Sequence, residues 1–295
     1  MRSFKPLPDG GTIAVIAPSS RGQPDLAGVS ILEKRGFAVK VHAQNFFTDN
    51  QSAGNAAQRA LALMEVFSDP KIDAVMAARG GNRSMHILPL LDLGFIKNNP
   101  KPFVGFSDST ALINAFYAKC GITGFHGPTL SRVAKGQAFE IDQMIAALQG
   151  KPCVIDCDTA QTLHGGVASG PMIGGNLSMI AALCGTPYMP NANGAILFIE
   201  DIGDQLSRFD RMLAQLRLCG VFDNLAGLVI GRIIPEGDSS VTPFGFTVDD
   251  IVAEHIRGLN IPVITHAPFG HSGRLCTLPV GGVATLDADA KTISF

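Results

Sequence analysis

Several absences narrow what this 295-residue chain can be. No apolar run approaches the ~18 residues that a membrane span needs. Charged residues make up only 16%, and 23 basic against 25 acidic side chains leave a net charge of −2. No basic cluster or amphipathic basic stretch points to nucleic acid or a membrane surface. The N-terminus, Met1 to Gly10, lacks a leader's apolar core, and Ile13–Ala17 is too short to supply one. The expectation is a cytoplasmic protein.

Metal and cofactor patterns are missing too. Cys153 and Cys157 are four apart, but no second cysteine or histidine pair completes a zinc pattern. With Cys120, Cys184, Cys219 and Cys276 they read as reduced thiols, most of them buried. There is no His-Glu-x-x-His, and His266 and His271 are five apart rather than one helical turn. Arg79-Gly80-Gly81 is neither a dinucleotide fingerprint nor a phosphate loop, since the further glycines of the first and the Gly-Lys-Ser/Thr of the second are absent. No metal and no cofactor are expected. No internal repeat or low-complexity segment occurs.

What is present is 46% hydrophobic residues and 33 glycines, a globular composition with ample core. Short apolar runs at 12–17, 37–41, 73–77, 103–106 and 122–125 read as strands. Helical spacing over 26–35, 56–67, 84–91, 108–119 and 140–148 separates or follows them. Strands alternating with helices predict an open, mostly parallel α/β sheet, with ligands beyond the carboxyl ends of its strands. The loops Pro18–Ser20, Arg79–Gly81 and Ser107–Ser109 emerge there. Pro152, Gly165, Gly166 and Gly170 punctuate a weaker stretch. The predicted division is a nucleophile domain over 1–150, a crossing over 151–170, and a second domain over 171–295. In that second domain, helices are expected over 177–183, 207–218 and 248–256. Strands are expected over 195–199, 227–231 and 262–265, with a strand cluster from Arg274 to the C-terminus.

Most chemistry gathers at Lys101-Pro-Phe-Val-Gly-Phe-Ser-Asp-Ser-Thr110. A buried strand turns abruptly into a helix at Ser107, with Gly105 and Ser109 as small neighbours, close to the nucleophile-elbow pattern. A helix N-terminus behind it offers N–H groups to an oxyanion. Ser107 or Asp108 could equally act as a helix cap. A serine nucleophile needs a base and an orienting carboxylate. His42, His86 and His255 fall inside predicted elements, His126 follows a strand as a possible pocket residue, and His164 lies in the crossing. His271, between Gly270 and Ser272, occupies a loop able to present an imidazole. Glu200 and Asp201 end an apolar strand, either solvated at its tip or held there for a purpose. Ser107, Glu200 and His271 all follow predicted strands; spacing alone does not show that they meet.

Several short motifs then come in order: Ala78-Arg-Gly-Gly81, Val104-Gly-Phe-Ser-Asp108, Gly174-Gly-Asn-Leu177, Phe198-Ile-Glu-Asp201, Arg211-Met-Leu-Ala-Gln-Leu216, and Phe269-Gly-His271 with Leu278-Pro-Val-Gly281. Together they resemble the L,D-carboxypeptidases, the serine peptidase family that includes muramoyl-tetrapeptide carboxypeptidase and the microcin C self-immunity peptidases. The resemblance runs from Gly11 to about Gly281. It implies a Rossmann-like N-terminal domain with a separate C-terminal α/β domain, and a cytoplasmic homodimer working in peptidoglycan recycling on a small muropeptide. It implies a triad of Ser107 as nucleophile, His271 as base and Glu200 as acid, with the backbone N–H groups of Gly81 and Asp108 as oxyanion hole. Arg79 and Asn176 stand as substrate contacts, and Arg83 and Arg232 join Arg79 by charge as holders of a terminal carboxylate. Many members carry an aromatic residue and a glycine after Arg-Gly-Gly, whereas this chain has Asn82-Arg83. It also has no tryptophan, and the relatives that cleave peptidyl-nucleotides use aromatic contacts, so the cell-wall substrate is favoured. Peptidyl-nucleotide hydrolysis and a catalytically silent binding protein are the alternatives.

Overall fold

The computed structural model describes residues 4–237 and 242–295. It divides into two compact units, Met1–Cys153 with Cys276–Gly282, and Val154–Leu275 with Val283–Phe295. Both are α/β. Among the described residues no helix is long and apolar enough to cross a membrane.

The first unit is built on β1 (Thr12–Ile16), β2 (Ala38–Val41), β3 (Ala74–Ala77), β4 (Phe103–Gly105) and β5 (Gly124–His126). These strands run parallel in the order β2-β1-β3-β4-β5, a doubly wound arrangement. β3 and β4 are buried throughout, which is why they read as unbroken apolar runs rather than alternations. The helices are α1 (Leu26–Lys34), α2 (Ala56–Ser68), α3 (Leu93–Asn98), α4 (Thr110–Cys120), α5 (Leu130–Val133) and α6 (Ala138–Leu148). Asn55 and Gln58 close a reciprocal capping box on α2. Gly121, left-handed at φ 69°, ends α4. Phe116 of α4 stacks edge-on against Phe67 and Phe103, each pair of centroids 5.7 Å apart, so α4 is pinned to α2 and β4. The expected helix over 84–91 is a 3₁₀ segment, Ser84–Leu90. Pro89 inside it and a left-handed Arg83 (φ 77°) in front of it disfavour a regular α-helix. α3 and α5 are too short to show periodicity.

The second unit carries β6 (Val154–Asp156), β7 (Gln161–His164), β8 (Val167–Asn176), α7 (Leu177–Leu183), β9 (Ile196–Ile202), α8 (Leu206–Leu218), β10 (Gly227–Ile234), α9 (Val248–Ile256) and β11 (Val263–Thr265). The chain then gives one strand to the first sheet: β12 (Leu278–Val280) pairs antiparallel with β5. β13 (Val283–Asp287) and β14 (Thr292–Ser294) finish the second sheet. Its order is β6-β14-β13-β8-β9-β10-β11-β7, with β8 through β11 parallel.

Two expectations change. Residues 151–170 are not a bare crossing, because β6, β7 and the start of β8 lie there. These strands are short or exposed on most positions, so their apolar alternation is weak. The C-terminal strand cluster is shared out, with 278–280 belonging to the first sheet.

Gly174 shows how closely β8 and β9 pack. Its φ is 136°, and a Cβ there would collide with the Phe198 carbonyl oxygen. Only glycine tolerates both conditions. Gly174→Ala should cost on the order of 3 kcal/mol, seen as a lowered unfolding midpoint in thermal denaturation; an unchanged midpoint would contradict this packing.

Candidate active site

In the first unit β1, β3 and β4 are neighbours, so the loops leaving their carboxyl ends lie side by side. Ser107 leaves β4 with φ 60°, a left-handed conformation rare for a residue with a side chain. It opens a 3₁₀ turn, Ser107–Ser109, that runs into α4. The turn is tight. A Cβ on Gly105 would lie 2.7 Å from Ser109 Cβ, and one on Gly80 would lie 2.9 Å from Ser107 Cβ. Small residues on both sides therefore let the chain reverse and leave Ser107 half-buried. Gly81, at φ 134°, is packed so closely on Ser20 that a Cβ would overlap that side chain. Its backbone can approach a ligand as no bulkier residue's could.

Asp108 is buried. Its Oδ2 accepts from Ser19 Oγ at 2.5 Å and from the Ser84 N–H at 2.9 Å, and its carbonyl accepts from Ser84 Oγ at 2.6 Å. Below it lies Arg59 of α2, only 1% exposed. Arg59 donates to the carbonyls of Pro18 at 2.6 Å and Arg83 at 2.9 Å. Burial first, then the Arg83 charge, hold its pKa below the usual arginine value, with Asp108 acting the other way.

In the second unit the register of β8 on β9 sets Asn176 beside Glu200. Glu200 is fully buried, and its Oε2 meets His271 Nδ1 at 2.7 Å. Asn176 Nδ2 lies 3.4 Å from the other oxygen, Oε1. Asn176 also caps α7, accepting from the Met179 N–H at 3.3 Å and from Ser178 Oγ at 2.7 Å. Asp201 points to the opposite face of the strand and accepts from the Ser178 N–H at 2.8 Å. Burial pushes the Asp201 carboxyl up to about 6, with the Glu200 charge adding to the rise and the Ser178 and Ile202 N–H groups opposing it. Neither acid is solvated at the strand tip.

His271 rides on a loop fastened to β10. The Arg232 N–H donates to the Phe269 carbonyl at 2.9 Å, and the Phe269 ring stacks edge-on against Phe198. Gly270 has φ 128° and packs against the Arg232 backbone. A carboxylate on Nδ1 favours the tautomer that carries its proton there and leaves the basic lone pair on Nε2.

Residues 13–127 match the LD-carboxypeptidase N-terminal domain, and residues 169–286 match the LD-carboxypeptidase C-terminal domain. A putative carboxypeptidase of Synechocystis is 33% identical over 98% of this chain and 96% of its own. The chain belongs to the LD-carboxypeptidase family. Among solved structures, muramoyltetrapeptide carboxypeptidase from Oxalobacter formigenes is 31% identical, with a TM-score of 0.83 over 96% of this chain and 97% of that one. Microcin C7 self-immunity protein MccF, solved with aspartyl sulfamoyl adenosine, is 28% identical, with a TM-score of 0.88 over 99% of this chain and 97% of that one.

The other candidates raised from the sequence of this LD-carboxypeptidase lie as follows. Arg79 is exposed, and its Nη1 donates to the Arg21 carbonyl at 3.1 Å. The Arg83 carbonyl is bound by Arg59. Arg232 forms no ion pair among the described residues, and its guanidinium packs against Gly273 of the His271 loop. His126 is fully buried in β5, edge-on to Phe106 at 5.0 Å. His42 pairs with Glu65, and His255 with Asp210. Among the described residues no cluster of three or more His, Cys, Asp or Glu side chains is placed to hold a metal. Sequence reasoning missed Ser19, Ser84 and Arg59. Arg59 did leave a signal, since it shares helical spacing with Leu63 and Val66 on the buried face of α2.

Asp201 gives a pH test. Its folded pKa of about 6 lies above the ordinary 3.8, so between those values the folded state binds a proton that the unfolded state has released. Stability is favoured at the acid end and is lost as pH rises from about 4 to 6, by on the order of 3 kcal/mol. In denaturant titrations across that range, Asp201→Asn should gain stability relative to the parent as pH rises; parallel curves would contradict the shift.

Proposed function

We propose that this LD-carboxypeptidase is a serine enzyme that removes the terminal D-alanine from muropeptide tetrapeptides, serving cytoplasmic peptidoglycan recycling as a homodimer. The observation that carries the mechanism is the buried Glu200 carboxylate on His271 Nδ1 at 2.7 Å, which prepares an imidazole to act as base. The left-handed turn at Ser107 supports the nucleophile's role. The name of the Oxalobacter relative supports the substrate class.

In this mechanism Ser107 Oγ attacks the carbonyl that joins the L-configured centre to D-alanine, and its proton passes to His271 Nε2. Glu200 stabilises the imidazolium that forms. The oxyanion takes hydrogen bonds from the N–H groups of Gly81 and Asp108, the second being the residue just after the nucleophile, as in other elbow serines. His271 returns the proton to the leaving amine, and D-alanine departs. Water, activated by the same imidazole, then opens the Ser107 ester. Arg79 and Arg232 are the groups proposed to hold the substrate's free carboxylate, and Asn176 steadies Glu200.

A second reading follows from the likeness to MccF, which was solved with an aminoacyl sulfamoyl nucleoside. The same residues would then open a peptidyl-nucleotide.

The test is D-alanine release from a muramoyl tetrapeptide. The parent should release it, and Ser107→Ala should reduce kcat by about 10⁴-fold or more. Cleavage of aspartyl sulfamoyl adenosine without D-alanine release would favour the second reading. Turnover of neither substrate would overturn both and leave a binding protein.

A further inference from the structure

Asp108 does more in this fold than follow the nucleophile. Its side chain and its carbonyl are each tied to another strand-tip loop. Oδ2 gathers the Ser19 hydroxyl from the loop after β1 and the Ser84 N–H from the loop after β3, while its carbonyl takes the Ser84 hydroxyl. Ser19, Ser84 and Asp108 are at most 2% exposed. Arg59 ties the same two loops, through the carbonyls of Pro18 and Arg83. Gly81 lies in the middle of the span so fixed. It is three residues before Ser84 and rests on Ser20, whose hydroxyl also accepts from the Asn82 N–H at 3.3 Å.

We infer that Ser19, Ser84 and Arg59, acting through Asp108, form a buried positioning cluster that sets the distance between the Gly81 and Asp108 N–H groups. The inference rests on the proposed role of those two N–H groups as oxyanion donors. The physical case is one of tolerance. An oxyanion hole works when its donors stand about 2.7–3.1 Å from the developing charge, and a displacement of ~1 Å can cost ~100-fold in rate. Gly81 has no side chain to anchor it and adopts a backbone conformation that favours glycine, so its place must be imposed from outside. Asp108 is the one residue here that combines a donor N–H with a side chain reaching both other loops. A charged carboxylate is suited to the task because its hydrogen bonds are stronger than those of a neutral acceptor. A guanidinium below adds long-range attraction, where an aliphatic side chain would give none.

The cluster differs from ordinary core packing in what its loss should change. Ser19→Ala and Ser84→Ala remove one hydroxyl each and leave Ser107, His271 and Glu200 untouched. Two readouts apply to parent and variants. The first is steady-state D-alanine release from a muramoyl tetrapeptide. The second is labelling by a fluorophosphonate, in which Ser107 Oγ bonds to phosphorus, fluoride leaves, the proton goes to His271, and the phosphoryl oxygen occupies the oxyanion hole. Each alanine variant should lower kcat about 10- to 100-fold, leave KM within about twofold, and slow labelling in parallel. Ser19→Thr, which restores a hydroxyl, should recover most of the loss of Ser19→Ala. Lowered thermal stability with kcat and labelling rate unchanged would make the cluster structural and overturn the inference. So would an effect confined to KM. A parent enzyme that neither releases D-alanine nor labels would instead overturn the serine mechanism, and this inference with it. An active parent with unaffected variants would overturn the inference alone.

Discussion

A serine held in a left-handed turn at the end of a buried strand is the constraint around which the first unit is arranged. The conformation costs on the order of 1–3 kcal/mol and exists only where the surroundings impose it. β4 is buried on both faces and fixes where the turn begins. Phe116, wedged against Phe67 and Phe103, fixes where α4 sets off. Gly80, Gly105 and Ser109 supply the room. Ordinary packing thus sustains one residue in a left-handed conformation at the end of a strand.

The second unit solves a different problem, that of burying negative charge. Glu200 and Asp201 are adjacent and both buried. Successive side chains of a strand face opposite ways, so each acid finds its own partners. Glu200 has His271 and Asn176, and Asp201 has the Ser178 N–H and the neighbouring Ile202 N–H. Asp201, held by neutral donors, has its carboxyl pushed up to about 6 by burial. Glu200 is held instead by an imidazole nitrogen and a side-chain amide.

Much of this was legible in the sequence, and the exceptions have physical reasons. The apolar runs 13–16 in β1, 74–77 in β3 and 196–199 in β9 were evident as buried strands. The turn at Ser107 was visible from Gly105, Ser109 and the change of period on either side. Glu200 and His271 were marked by strand end and loop, but their pairing depends on a register and a loop path that no local pattern encodes. Strands β6, β7 and early β8 escaped notice because their exposed faces resemble loop sequence. β12 was placed with the wrong sheet because pairing with β5 is long-range. Ser19 and Ser84 looked like ordinary loop and helix-start serines. Arg59 was the one member of their cluster with a local signature, a charge on the apolar face of α2.

The central claim is that Ser107 forms a covalent ester with the acyl part of the substrate. Acid quenching during turnover of a muramoyl tetrapeptide, followed by peptide mapping and mass spectrometry, tests it most directly. The account requires the peptide containing Ser107 to gain the mass of the substrate less D-alanine, and to lose it when turnover is allowed to finish. D-alanine release with no such adduct on Ser107, or with the adduct on another residue, would contradict it.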